Sequence, residues 1–571
     1  MSLIGVNRVL IYIFSTLVIL ACMPAPVFAG PSREETAPPV ETHDRPQVSG
    51  GLVEEIRGLT ETGILSSMLQ AIELIRSRDL STAEFGRMMT GINVLLIRLV
   101  YPDSPARLPE IDLPQTYNYT RIIRESERGN YLRPSENSTD FFEHILPFLA
   151  VPSHIEAATA VNIFRDLEKA GELSAASVLP AYFRGVLYER LHQFEQADEA
   201  FRQVLVISAE CYPAQTGIAR IKRLTGHAQE AAQILNDLMT RYPDSREIKR
   251  QLAITLFELH ETTRAMPMID EILQAEPRNG DFILMRASIL IEQGQFTQAN
   301  TALDNYASIN PNNRSYLFMR ARVQAEGNRN RESALNYLRS IFRTNPDDEA
   351  ALILAVTLLM ESQREADLTE GRQLLERLQR ISGSSVDVLS LSIRDAVSRE
   401  SWQQAQGFLN RILAVRRSDQ DLNDGYQIER GLGNNARALT FARELYERDN
   451  TNNEYAVIYA ASLIDNGRRD EASRLLESRF NSAGSSALRS RYYYLRSRLQ
   501  SNEDSALSDL RSSLFEDPRN LDALIAMFEI YHRRREERRA VHYLRQALAI
   551  APDHPVLRRY EREYASLLGR N

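Results

Sequence analysis

Prolines return in this chain at a nearly constant distance, and a repeat architecture accounts for that regularity. Six of them follow one another at steps of 34 or 35 residues in two groups, which are Pro243, Pro277, Pro311 and Pro346, and then Pro518 and Pro552. An alanine stands twelve residues before each of them, and an aliphatic residue stands eight before. A period of this length is typical of stacked two-helix units that bury their apolar faces against one another.

The small residues of each period mark the places where two helices approach closely. Ala219 stands 24 residues before a proline and Ala231 stands twelve before the same one, and later periods repeat both positions. A leucine at such a site would overpack it, at a cost of about 1–3 kcal/mol. Gly226 and Gly294 stand where the first helix ends and the chain reverses, a position that requires a left-handed backbone. The proline then ends the second helix, because it has no N–H to donate.

These positions resemble the tetratricopeptide repeat family, and the resemblance covers about two thirds of the chain. It implies an all-α fold, a right-handed superhelix (an α-solenoid) of about ten helix pairs that follows an N-terminal helical region. The predicted segments are 178–552 for the repeat array and 553–571 for a capping helix.

Three first helices depart from the family pattern. Tyr494 and Phe528 replace the small residue, and Arg322 displaces Ala321 by one position. We expect these units to pack less regularly than the others.

The first residues have the pattern of a secretory leader. One cation, Arg8, precedes an apolar run from Val9 to Ala21 that is too short to span a bilayer comfortably, and small residues follow in PAPVFAG. This pattern predicts a leader over 1–29 and export of the rest. The stretch ILAC also resembles a bacterial lipobox, in which Cys22 would carry lipid, and both interpretations stay open. Cys211 then has no cysteine partner, which excludes a disulfide framework.

Two segments lie between the leader and the array. Residues 30–50 are rich in Pro, Thr and Glu with few large apolar groups, which predicts a disordered linker. Residues 51–177 carry apolar residues at helical spacing, interrupted by four prolines between Pro102 and Pro114. We therefore predict an N-terminal helical region with a Pro-rich loop that extends to about Asp140.

Charge and motif content limit the functions that this chain can have. The net charge is −8, which argues against nucleic-acid binding because phosphate contacts need a basic surface. No stretch matches a P-loop, a nucleophile elbow, an HExxH zinc helix or paired CxxC ligands, and none of the nine histidines has a metal-ligand spacing. We expect no catalytic residue, no metal site and no cofactor.

The family resemblance also implies a binding surface, because its members bind peptides or proteins in a concave groove lined by the first helix of each pair. By position, the groove residues here are Tyr182, Arg220, Arg223, Arg250, Phe257, Leu284, Phe318 and Arg322. Guanidinium forks beside aromatic rings would hold acidic or aromatic segments. The alternative, that these arginines form only a solvated face, stays open. The Lys and Asn pattern with which chaperone-binding members clamp a peptide carboxylate is absent.

The sequence therefore predicts an exported, non-catalytic scaffold that binds proteins or peptides, acidic ones among them. It would be periplasmic or associated with the outer membrane, and a lipid on Cys22 would be its only contact with a membrane. Two alternatives stay open. One is a surface-exposed adhesin or receptor, and the other is an assembly factor for polysaccharide export or outer-membrane protein biogenesis.

Overall fold

A computed structural model describes residues 49–135, 137–150, 157–479, 484–552 and 554–569. Within these ranges all regular elements are helices and no strand occurs, so the predicted all-α fold class is confirmed. The predicted leader, Cys22 and nearly all of the predicted linker lie outside the described residues.

Six helices precede the repeats. They are α1 (Gly50–Glu61), α2 (Leu65–Ser77), α3 (Glu84–Val100), α4 (Asn118–Glu127), α5 (Phe141–Ile145), which continues as a 3-10 turn (Leu146–Ala150), and α6 (Ala157–Leu173). The prediction of one loop from Pro102 to about Asp140 was wrong, because α4 lies inside that stretch. Ile122 and Ile123 of α4 are buried, so apolar burial forms a helix once the run of prolines has ended.

Helix pairs follow from residue 179 to residue 550. The pairs are α7–α8 (Leu179–Arg190, Phe194–Ile207), α9–α10 (Tyr212–Leu224, Ala228–Arg241), α11–α12 (Arg246–Glu258, Thr262–Ala275), α13–α14 (Gly280–Glu292, Phe296–Ala307), α15–α16 (Arg314–Arg322, Arg331–Thr344), α17–α18 (Glu349–Met360, Glu365–Ser382), α19–α20 (Val386–Ser398, Trp402–Leu413), α21–α22 (Asp419–Gly431, Asn435–Arg448), α23–α24 (Asn453–Asp465, Arg469–Arg479), α25–α26 (Ser486–Leu499, Glu503–Glu516) and α27–α28 (Leu521–Arg533, Glu537–Ile550). Two short helices, α29 (Pro555–Glu563) and α30 (Ala565–Leu568), end the described chain.

The chain forms two compact units, the first unit Met1–Ser340 and the second unit Ile341–Asn571. In the first unit one apolar core runs without interruption from Ile56 of α1 to Ile289 of α13. In the second unit the core consists of several smaller clusters between successive pairs. Within each unit neighbouring helices pack pair on pair, as in a tetratricopeptide solenoid.

The small residues lie at close contacts, as the sequence predicts. Ala219 and Ala231 are completely buried, and so are their counterparts Ala253 and Ala265. A methyl group at these positions lets the two helices of a pair approach each other, and a larger side chain would have to displace a neighbouring helix.

The turn inside a pair places one residue in the left-handed region at the same repeat position. Gly226 (φ 86°) and Gly294 (φ 71°) have the conformation that the sequence predicts. In five other pairs the position is taken by residues with a Cβ at φ between 50° and 59°, namely His192, His260, Arg329, Glu400 and Arg535. This conformation costs an L-residue roughly 1–2 kcal/mol, so packing of the pairs imposes the turn even without glycine.

The fifth pair contains the predicted irregularity. The step from Pro311 to Pro346 is 35 residues, one more than the preceding steps. Its first helix continues beyond Arg322 as a π-helix, Val323–Gly327, which accommodates an additional residue. Ala321 is completely buried and takes the close-contact position. The π-helix thus explains why Ala321 stands one residue further from its proline than the alanines of the preceding pairs do.

Candidate functional site

The predicted groove residues lie on the first helices α7, α9, α11, α13 and α15 of the first unit, but their environments differ. Leu284 and Phe318 are each only 2% exposed and pack inside the repeats, and the Arg314 guanidinium covers the Phe318 ring at 4.9 Å. Tyr182 and Phe257 are partly buried. The arginines form two groups, those that are bonded between helices and Arg322, which is bonded within its own turn.

Arg220 of α9 is bonded to Glu189 of α7. Its Nη2 donates to Glu189 Oε2 at 2.6 Å, and its Nε donates to Oε1 of the same carboxylate, a two-pronged contact between consecutive pairs. The Glu189 side chain is 5% exposed. Burial acts to lower the pKa of Arg220, but the Glu189 carboxylate outweighs it, and the net pKa is raised. Arg220 is therefore a charged group that already has a carboxylate partner inside the protein.

Arg250 of α11 extends this contact into a row of alternating charge. Glu247 Oε1 lies 3.7 Å from Arg220 Nη1, and Glu247 Oε2 accepts from Arg250 Nη1 at 3.2 Å. Arg250 Nη2 in turn donates to Glu276 Oε1 at 2.6 Å. We call the five residues Glu189, Arg220, Glu247, Arg250 and Glu276 the charge ladder. It connects the first helices α7, α9 and α11 of the first three pairs and ends at Glu276, the residue that follows α12.

Arg223 makes a second link between the second and third pairs. Its Nη1 donates to Glu258 Oε1 at 2.6 Å, and its side chain is almost completely buried. Burial raises the pKa of Glu258, although Arg223 opposes that shift. Arg322 is different, because its guanidinium donates to Glu326 of the adjoining π-helix at 2.8 and 3.2 Å. Arg220 and Arg223 thus bond consecutive pairs, whereas Glu247 and Glu276, which accept from Arg250, belong to the same pair as Arg250.

These internal contacts limit how the arginines can bind a partner. Neither alternative from the sequence describes them, because they are neither free forks nor a solvated face. A partner carboxylate would have to replace an internal one. Glu247 is the most replaceable carboxylate on Arg220, because its side chain is 29% exposed and its contact with Arg220 is long.

The N-terminal helices approach the starts of the first helices. The Val178 N–H donates to Thr62 O at 2.9 Å, next to the start of α7. Tyr101 packs edge-on against Tyr212, the first residue of α9, with ring centroids 5.6 Å apart. Asp103 accepts from the Ser245 hydroxyl at 3.0 Å, just before α11. The N-terminal region therefore packs against the starts of α7, α9 and α11, the first helices that carry the charge ladder.

Sequence reasoning missed the acidic half of the ladder and also Asp103. The sequence did contain a signal for the acidic residues of the ladder. Glu189 and Arg220 have opposite charges and stand on the first helices of consecutive pairs, and the same is true of Arg223 and Glu258. No repeat spacing connects Asp103 to Ser245, since Asp103 lies outside the array. The predicted groove role of all eight residues remains a prediction.

Three further features concern the described part of the chain, namely metal-ligand clusters, membrane-spanning helices and the cysteine. No group of three or more His, Cys, Asp or Glu side chains there is arranged to hold a metal ion. No helix within the described ranges has both the length and the apolar character needed to cross a membrane. Cys211 is buried, with its sulfur 3.6 Å from the Tyr101 hydroxyl.

Comparison with known proteins agrees with the repeat geometry. Residues 209–245 and 256–323 match sequence profiles of the tetratricopeptide repeat. These two segments cover parts of the second to fifth pairs. No match was found among curated proteins.

Several solved structures are similar to this chain at low sequence identity. A tetratricopeptide repeat protein from Parabacteroides merdae ATCC 43184 is 13% identical over 44% of this chain and 98% of its own, with a TM-score of 0.36. The APC/C hetero-tetramer Cut9–Hcn1 is 13% identical over 92% of this chain and 96% of the compared one, with a TM-score of 0.34. YrrB, described as a TPR protein with an unusual peptide-binding site, is 17% identical over 33% of this chain and 95% of its own, with a TM-score of 0.29. The fold assignment rests on the helix pairs and the sequence profiles.

The fold and the repeat profiles define an α-solenoid of the class that serves as a protein–protein interaction scaffold. The chain contains tetratricopeptide repeats, which the sequence profiles match over residues 209–245 and 256–323.

Proposed function

We propose that this protein is an exported, non-catalytic scaffold of the cell envelope that binds partner proteins or peptides on the first-helix surface of the first unit. The charge ladder carries this proposal. Its five side chains are held by one another across three pairs, so a partner meets groups that are already ordered. A surface that is ordered before binding loses less side-chain entropy when a partner docks.

The ladder also defines the partner chemistry that we propose. A segment with an acidic side chain would take the place of Glu247 between Arg220 and Arg250 and form charge-assisted hydrogen bonds there. Tyr182 of α7 and Phe257 of α11 lie on first helices that also carry ladder residues and would pack against apolar parts of the same segment. The internal carboxylates already neutralise the arginines, so an acidic residue in a mixed segment fits better than a run of acids.

Photocrosslinking in cells tests this assignment. A benzoylphenylalanine at position 257 should capture a defined set of partners, which mass spectrometry then identifies. The matched control places the same group at Asp237, an exposed residue of the second helix α10. Capture of the same partners from both positions, or of none from position 257, would remove the first-helix surface from the proposal.

Glu247→Gln tests the exchange of carboxylates more directly. The amide binds the two arginines less strongly, so a partner carboxylate would replace it more easily, and capture from position 257 should rise. Unchanged or reduced capture in Glu247→Gln would contradict the exchange while leaving the surface itself in place.

Export is proposed from the leader pattern in residues 1–29. The mass of the mature protein tests it, with Gly30 or a lipid-modified Cys22 expected as the first residue. An uncleaved chain in the cytosol would contradict export. Protease treatment of intact cells then separates the periplasmic scaffold that we propose from the surface adhesin or receptor.

A further inference from the structure

The second unit contains a cleft beside α18, the second helix of its pair. It lies between α18 and the loop that precedes α17 and has a volume of about 550 Å³. The lining residues are Asp347, Gln373, Leu374, Arg377, Arg380 and Ile381.

Positive charge at this end of α18 exceeds negative charge. Arg377 Nε donates to Asp347 Oδ1 at 2.6 Å, so that pair is balanced. Arg380 has no hydrogen bond or ion pair with any described residue. Arg411 of α20 donates from Nη2 to the backbone carbonyl of Gly383 at 2.8 Å, and this carbonyl has no formal charge. Two of the three guanidinium groups therefore lack a carboxylate, in contrast to the arginines of the charge ladder.

Apolar side chains stand beside these cations. Leu374 is half-buried on the wall of the cleft, and Ile381 on the same wall is 42% exposed. Val415, 34 residues further on, occupies the same repeat position in the next pair and is 73% exposed. Exposed aliphatic groups next to unpaired arginines are a combination found where proteins associate.

We propose that this cleft binds an acidic segment of a partner protein that also carries an aliphatic side chain. A carboxylate of the segment pairs with Arg380, a second one reaches Arg411, and the aliphatic group packs on Leu374 and Ile381. The arginine fork is suited to a carboxylate because it donates two parallel hydrogen bonds. The apolar wall distinguishes a peptide from a bare anion or a nucleic-acid backbone, neither of which would bury hydrocarbon there. This surface is independent of the first-helix surface proposed above.

Fluorescence polarisation of the full chain tests the assignment with a defined probe. The probe is a fluorescein-labelled peptide of alternating Glu and Leu, compared with one peptide in which Gln replaces Glu and another in which Ser replaces Leu. The Glu–Leu peptide should bind more tightly than either counterpart, and hydrogen exchange should show protection of residues 373–383 on binding. Failure of the Glu–Leu peptide to bind would overturn the proposal.

Substitutions locate the binding in the cleft. Arg380→Glu should weaken binding by about tenfold or more, since it removes a charge-assisted hydrogen bond and adds repulsion. Ile381→Ser should weaken it several-fold. Arg469→Gln is the matched control, an exposed arginine of α24, and should leave binding unchanged. Equal binding to the Arg380→Glu variant and the unchanged protein would overturn the proposal. The proposal would also be overturned if phosphatidylglycerol vesicles bound in a way that depends on Arg380 and the peptide did not bind. The cleft would then be a membrane-binding surface.

Discussion

The Asp103 carboxylate accepts a hydrogen bond from the Ser245 hydroxyl at 3.0 Å, and the same oxygen accepts from the Glu247 N–H at 2.5 Å. A residue of the N-terminal region thus satisfies a backbone donor in the first turn of α11, although 142 residues separate the two side chains. Ser245 is itself the N-cap of α11 and accepts from the Ile248 N–H. The end of this helix therefore depends on both segments of the first unit.

Removing the Asp103 carboxylate should destabilise the first unit. We expect Asp103→Ala to lower the free energy of unfolding by about 1–2 kcal/mol, because an N-terminal donor of α11 loses its partner. Urea denaturation and hydrogen exchange at residues 246–250 measure the effect. Asp244→Ala is the matched control, since Asp244 is exposed beside the same helix end and has no hydrogen bond or ion pair with a described residue. Equal stability of the two variants would show that the contact contributes nothing.

The buried link between Arg220 and Glu189 should be costly to break from one side. Arg220→Met leaves a buried carboxylate without a counter-ion, which we expect to cost about 3–5 kcal/mol. Arg202→Met removes an exposed pair with Asp198 and should cost at most about 1 kcal/mol. Adding Glu189→Gln to Arg220→Met should recover part of the loss. No recovery would mean that lost packing of the arginine stem, and not charge, dominates.

Three glycine-to-alanine substitutions should change the free energy of unfolding for three different reasons, two of them lowering it and one raising it. Gly226→Ala should destabilise by about 1 kcal/mol, because a Cβ there meets nothing within 4 Å and only the left-handed backbone opposes it. Gly185→Ala places its Cβ 2.7 Å from the Phe201 ring, and we expect overpacking to cost about 1–3 kcal/mol. Gly407→Ala, in helix α20 with open space around it, should stabilise by about 0.5–1 kcal/mol. Urea midpoints rank the three, and a destabilising Gly407→Ala would contradict this account.

Two aspartates should make the free energy of unfolding depend on pH in opposite directions. Burial raises the pKa of Asp281 above its ordinary 3.8, so its folded form binds a proton more readily than its unfolded form. Stability from this group is complete below pH 3.8 and declines as pH rises through the folded pKa. Asp449 has a lowered pKa because Thr451 donates hydrogen bonds to it, so its contribution is present above pH 3.8 and is lost as pH falls.

Matched variants reveal these two contributions. Between pH 3 and 6, Asp281→Asn should gain stability relative to the unchanged protein as pH rises, and Asp449→Asn should lose it. Unfolding free energies at each pH, taken as differences from the unchanged protein, give the two slopes. Slopes of the same sign would contradict the assigned causes.

The repeat positions were predictable because their causes lie within one helix pair. Gly226 and Ala231 are required by the turn and by the close contact of two neighbouring helices, so their spacing alone reveals them. The charge ladder was not predictable in the same way. Whether Arg220 is free or bonded to Glu189 depends on how consecutive pairs are placed, and charge is not confined to fixed repeat positions. Helix α4 was missed because prolines interrupt helices strongly, yet Pro114 ends their run before Asn118.

The apolar core that runs without a break from Ile56 to Ile289 determines where this protein can be cut. Leu179 and Val178 are fully buried, and Leu179 lies against Gly63 of the N-terminal region so closely that any side chain there would collide with it. A fragment that begins at the first repeat would leave this hydrocarbon in water and tend to aggregate. A soluble fragment of the array needs the six preceding helices, because they cover the apolar surface of the first repeat.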